Sequence, residues 1–120
     1  MDYSVFVRTA VAQNPLNKFD AWDGSLAGVP KELHPFYRTC NPVKVEVLLD
    51  DVPIQFVAAK SLIATTQTYS YINASLVFAT CNGDPIFWDK GKIYTCAHGV
   101  KNPNWEYISP SFDDFLTSLY

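Results

Sequence analysis

The chain has little cysteine. Among its 120 residues only Cys40, Cys81 and Cys96 occur, odd in number and far apart. A disulfide framework needs an even, dense set, so none is expected, and the odd count fits reduced thiols in a cytosolic setting. Glycine appears only five times, and Gly83-Asp84-Pro85 lacks the repeated glycines and the Lys-Ser/Thr pair with which a loop cradles phosphate. Positive charge is short: nine Lys and Arg against twelve Asp and Glu leave a net charge of −3. That balance argues against nucleic-acid binding, which needs a basic stripe to neutralise phosphates. No apolar run approaches the roughly 20 residues that cross a bilayer, so no membrane partner is expected. The start, with Asp2 and no basic stretch leading into an apolar run, predicts no signal peptide and a cytoplasmic location.

What is abundant is apolar and aromatic surface. Apolar residues make up 48%, aromatics 15% and charged residues 18%. This is the composition of a folded globular chain, long enough to bury one core in a single domain spanning 1–120. Rings are expected to supply much of that core.

Periodicity gives the element order. Residues 2–12 read as a short helix with Val5, Phe6, Thr9 and Ala10 on one face, stopped at Asn14-Pro15 because the residue before proline is pushed out of helical geometry. Residues 14–28 read as a loop pinned by Phe19 and Trp22, so 1–28 form an irregular or short-helix N-terminal segment. Pro30 suits the start of a second helix with Leu33, Phe36 and Tyr37 inward and a kink at Pro35; Asn41-Pro42 ends it. Val43, Val45, Val47 and Leu49 then alternate as a half-buried strand, Asp50-Asp51 turns, and Ile54–Val57 returns. A helix from Ala58 to Gln67 contacts the core through Leu62 and Ile63, and residues 68–74 read as a loop. Leu76–Thr80 is a strand ended by Asn82-Gly83-Asp84, and Ile86–Trp88 and Lys92–Cys96 form a hairpin about Asp89-Lys90-Gly91. Ser111, followed three residues later by Asp114, starts a final helix with Phe112, Phe115, Leu116 and Leu119 on one face. Helices and strands are segregated along the chain. The fold class this predicts is α+β, a mainly antiparallel sheet with helices packed on it.

Residues able to carry chemistry are sparse. Cys96-Ala97-His98, with Cys81 and His34 as helpers, is the leading metal or nucleophile candidate, but zinc sites use closely paired ligands and no such pairing occurs. A packed cysteine beside a loop histidine is the favoured reading, and no residue in the sequence presents itself to orient His98 for catalysis. Asp50-Asp51 and Asp113-Asp114 are adjacent acids, read as a turn and a helix start rather than as a general acid and base facing one another across a substrate. Trp105, in the polar stretch Lys101-Asn102-Pro103-Asn104-Trp105, is either a ring plugging the edge of the core or an interface anchor. No constellation supports an enzyme, a metal or a cofactor.

Three stretches carry a resemblance. They are Val29-Pro30-Lys31-Glu32-Leu33-His34-Pro35-Phe36-Tyr37, Phe78-Ala79-Thr80-Cys81-Asn82-Gly83-Asp84-Pro85-Ile86-Phe87, and Ile108 with Ser111-Phe112-Asp113-Asp114-Phe115-Leu116. In this order, over residues 29–120, they resemble the early helix, the central strand–turn–strand and the C-terminal helix of the SUKH superfamily. That group takes in fungal regulators of cell-wall glucan synthesis and bacterial immunity proteins that neutralise polymorphic toxins. The resemblance implies an α+β fold, a protein-binding role and no cofactor, and it brings no shared catalytic set. The expected function is therefore an intracellular immunity protein blocking a toxin domain, such as a nuclease. The alternative is a non-catalytic regulator or scaffold of the cell-wall-synthesis type. Acidic side chains would approach a basic cleft of the partner. The expected partner-facing residues are the turn residues Asp50, Asp51 and Asp89 together with Trp105.

Overall fold

A computed structural model describes residues 1–120, which form a seven-stranded, wholly antiparallel sheet and four α-helices. In chain order these are α1 (Ser4–Gln13), β1 (Lys18–Asp20), α2 (His34–Cys40), β2 (Asn41–Leu49), β3 (Val52–Phe56), α3 (Leu62–Thr68), β4 (Leu76–Cys81), β5 (Asp84–Asp89), β6 (Lys92–Thr95), β7 (Glu106–Ser109) and α4 (Phe112–Thr117). The strands lie side by side in sequence order, so the sheet is a meander interrupted by helices only before β2 and before β4. The α+β class expected from the sequence is the class observed.

Local signals explain the helix ends. The Ser4 N–H at the start of α1 is satisfied by the Asp2 carboxylate (2.9 Å), and Asn14 leaves the helix with extended backbone ahead of Pro15. Ser111 caps α4 by accepting from the Asp114 N–H (3.1 Å), with Asp113 and Asp114 in the first turn. Glu32 also reaches α4: one carboxylate oxygen accepts from the Phe112 N–H (3.4 Å) and the other from Trp88 Nε1–H (2.7 Å).

Three hairpins turn on two residues, both in the left-handed region: Asp50-Asp51 (φ 51° and 64°), Asn82-Gly83 (50° and 88°) and Lys90-Gly91 (49° and 88°). Such turns match the right-handed twist of the strands and favour glycine. Asp50-Asp51 alone of the three lacks it.

One face of the sheet is covered by α1, α2 and α4 and holds the main core. Phe36 is its hub, with ring centroids 5.1–6.4 Å from those of Tyr3, Phe6, Tyr37, Phe56 and Phe112. Phe78 continues the cluster toward Phe112 (5.0 Å) and Phe115 (5.5 Å). Leu33, Phe36, Tyr37, Phe112, Phe115, Leu116 and Leu119 are all buried, as their spacing predicts. The opposite face carries a smaller cluster of Ile72, Val77, Phe87 and Cys96.

The structure departs from the sequence expectations at both sheet edges. Residues 14–28, expected as loop throughout, include β1, and the stretch ahead of α4 includes β7. Val43 is exposed rather than alternating inward, because the β1–β2 register slips there: Lys18 pairs with Lys44 but Phe19 with Pro42. On α1 the buried residues are Phe6 and Ala10, while Val5 is exposed and Thr9 only half-buried. On α3 Leu62 is buried but Ile63 is exposed, so Ile63 is not a core contact.

Side-chain amides close the edge of β2 beyond the short β1. Asn17, itself buried, donates to the carbonyls of Ala10 and Glu46 (both 2.9 Å) and accepts from the Glu46 N–H (2.9 Å). One step along, Gln13 accepts from the Leu48 N–H (2.8 Å) and donates to its carbonyl (3.4 Å). Two amide side chains thus continue the ladder where backbone is missing, which leaves that edge unavailable to another strand.

Candidate protein-binding surface

Strand direction puts the Asp50-Asp51 and Asn82-Gly83 turns and the loop 96–105 at one end of the sheet, and the Lys90-Gly91 turn at the other. Asp50 and Asp51 are therefore neighbours at an exposed tip, and neither hydrogen-bonds to or pairs with another side chain. Asp89 lies at the opposite end, and its Oδ1 accepts from the Ser75 N–H (3.2 Å) and Oγ–H (2.7 Å). Trp105 is at the tip end but on the other face of the sheet. The structure brings Asp50 and Asp51 together and sets Asp89 and Trp105 apart from them.

Trp105 shows both properties expected of it. Its ring packs on Phe87 (4.9 Å) and Tyr94 (5.3 Å), plugging the smaller cluster, yet it stays 38% exposed beside Tyr107. Tyr107 itself stands 6.0 Å from Tyr94, edge to face, and keeps more than half of its surface exposed.

The helix-covered face is open near the tip. An apolar cleft of about 350 Å³ lies there between the β2–β3 hairpin and α4. Its floor and walls are mainly Leu49, Val52, Ile54, Ile86, Ile108 and Phe115. Register explains the arrangement: Leu49 opposes Val52, Ile54 lies one strand from Cys81, Cys81 opposes Asp84, and Ile86 opposes Thr95, so all of them project to the same face. Asp50 and Asp84 also line the cleft, and no Lys or Arg does. Residue type does not mark these aliphatic residues as a site: Ile54 and Ile86 look like ordinary strand positions, and Ile108 lies in an edge strand too short to show a period. The signal that Ile54 and Ile86 do carry is the two-residue alternation that assigns them to one face.

The cysteine and histidine candidates are distributed by the fold. His34 Nε2–H donates to the Val29 carbonyl (2.8 Å), a structural bond at the start of α2. Cys81 lines the cleft and Cys96 is buried in the smaller cluster. His98 points to Asp84, whose Oδ1 accepts from both the His98 Nδ1–H (2.7 Å) and its backbone N–H (2.9 Å). Asp84 is thus the orienting group that the sequence did not identify. Those bonds hold its carboxyl below the usual carboxylate range. No hydrogen bond joins Cys96 to His98, and burial, helped by the charge of Asp84, raises the Cys96 thiol and disfavours the nucleophilic thiolate. Burial also pushes the Cys40 thiol up to about 12. No group of three or more His, Cys, Asp or Glu side chains is assembled to hold a metal ion, and no helix is long and apolar enough to cross a membrane.

The chain matches no protein-family model, no curated protein and no solved structure.

Proposed function

We propose that the chain is a cytoplasmic immunity protein that binds a toxin domain carrying a basic substrate cleft, such as a nuclease, and blocks it without chemistry of its own. The observation that supports this most is the tip: Asp50 and Asp51 are adjacent, exposed and free of any cation, in the one two-residue turn that lacks the glycine its geometry favours. Two like charges held side by side in left-handed backbone cost stability. That cost is understandable if the carboxylates are needed for a cationic partner, where they speed encounter and fix orientation. The SUKH resemblance supports the same reading.

Binding of this kind is steric and electrostatic. The tip would enter the positive cleft of the toxin and compete with its anionic substrate. Trp105 and Tyr107, on the other face, offer aromatic contact area if the partner wraps the sheet end. The test is co-expression with candidate toxin domains. Rescue of growth together with a one-to-one complex is expected. Failure against every well-expressed candidate would transfer the assignment to a regulator that binds endogenous proteins.

A further inference from the structure

The cleft beside the tip has features that the blocking role alone does not require. Its aliphatic lining is out of keeping with its surroundings: Val52 is 39% and Ile108 37% exposed, with Leu49 half-buried between them and the core. Its five aliphatic residues come from four different strands and Phe115 from α4, so the shape is fixed by sheet register and by a capped helix. A pre-formed apolar concavity on rigid elements is the kind of surface that receives side chains of a partner at low ordering cost. Charge then narrows the occupant. Of the two carboxylates on the lining, Asp50 is unpaired, and Asp84 uses only Oδ1 for His98, leaving Oδ2 without a protein partner. Asp51 stands beside Asp50, and no cationic side chain lines the cleft to offset them.

We propose that this cleft is a docking groove for a short segment of a protein partner that presents two or three aliphatic side chains with lysine or arginine beside them. The aliphatic groups would cover Val52, Ile108 and the open part of Leu49, over a floor made by the buried Ile54 and Ile86, and the cations would meet Asp50, Asp51 and the free oxygen of Asp84. An acidic or uncharged segment would leave those carboxylates partly desolvated and unpaired, which is what makes the groove selective. The inference rests on the protein-binding reading and adds the mode of recognition. It requires the partner to engage the helix-covered face, not the Trp105 face.

The test uses the whole chain, labelled at isoleucine methyl groups and at amide nitrogens, with three synthetic 12-residue peptides as probes. The first carries leucines on one face and lysines on the other, the second replaces the lysines with glutamates, and the third keeps the lysines but has serines for leucines. The leucine–lysine peptide should shift the methyl signals of Ile54, Ile86 and Ile108 saturably, and bind at least about tenfold more tightly than either control. Ile108→Lys and Val52→Lys, both at exposed positions, should each weaken it by about tenfold or more, while the paired reversal Asp50→Lys/Asp51→Lys should remove the preference for lysine over glutamate. Well-dispersed amide spectra would confirm that each variant is folded. The proposal is overturned by any of three results: no saturable shift, equal binding of the leucine–glutamate peptide, or shifts confined to Tyr94, Trp105 and Tyr107. The same variants in the co-expression assay separate the two readings. If rescue survives Ile108→Lys and Val52→Lys but is lost on charge reversal, the immunity role stands and the groove is wrong. Peptide binding at the groove with no toxin neutralised leaves the groove standing and removes the immunity role.

Discussion

The helix-covered face of the sheet has two ends built from different materials. At the closed end, phenylalanines pack around Phe36 under α1, α2 and α4, Phe6 and Phe112 edge to face and Phe56 tilted. At the open end, branched aliphatics line a cleft edged by carboxylates. Both ends are apolar, and both grow from the same two-residue alternation along the same strands. The closed end has its area covered within the chain. At the open end Ile54, Ile86 and Phe115 are buried as well, but Val52 and Ile108 keep more than a third of their surface in water. The difference teaches that stability is concentrated where rings interlock, so the tip is free to carry residues that fold no better for being there.

That contrast can be broken first at its strong end. Phe36→Ala removes the ring on which five others pack, and should cost about 3–5 kcal/mol by chemical denaturation. Ile108→Ala at the open end should cost less than about 1 kcal/mol, because its side chain already touches water. Equal costs would show that the two ends are not energetically distinct.

The next effect lies at the sheet edge. Asn17→Ala deletes three hydrogen bonds at a buried position and bares the β2 edge; a loss of about 2 kcal/mol is expected. Concentration-dependent association should accompany it, measured by sedimentation or light scattering, since an open edge pairs with other strands.

The tip should respond in the opposite direction. Asp50→Asn with Asp51→Gly installs the residues that the Asn82-Gly83 turn already uses, and should stabilise the protein by about 1 kcal/mol. Binding of the partner should weaken by about tenfold or more at the same time. A gain in stability with full binding would make Asp50-Asp51 a turn and nothing else.

The smallest effect concerns the loop at the same end. Asp84 titrates below its ordinary value of 3.8 because His98 donates two hydrogen bonds to it. A depressed carboxyl stabilises the fold above its unfolded value and loses that contribution as pH falls through the lower folded one. The stability difference between wild type and Asp84→Asn should therefore be present at pH 6 and shrink as pH falls below 3.8 through the lower folded value. Faster exchange of the His98 amide in the variant at pH 6 would locate the effect.

Much of this architecture was legible in the chain, and the exceptions have physical causes. Helix faces were readable wherever a full turn of apolar residues repeats, as at Leu33, Phe36 and Tyr37 or Phe112, Phe115 and Leu116. β1 and β7 were not, because three- and four-residue edge strands hold too few alternations to register as a period. Val43 misled for a related reason: a bulge reverses the alternation without leaving any mark in residue type. At the candidate surface, turn chemistry placed Asp50 and Asp51 on an exposed tip, but it could not show that Asp89 sits at the far end bound to Ser75. The cleft was hidden most completely. Its residues come from across the sheet, and only the pairing register makes them neighbours.

The most direct measurement is the rescue assay carried out with a single charge reversal. Each candidate toxin domain with a basic cleft would be expressed alone, with the wild-type chain, and with the Asp50→Lys/Asp51→Lys variant, whose folding is checked by its thermal transition. Growth restored by the wild type and lost with the folded variant is the predicted result. Growth restored equally by both would contradict the account, because the partner would then be held by some other part of the molecule.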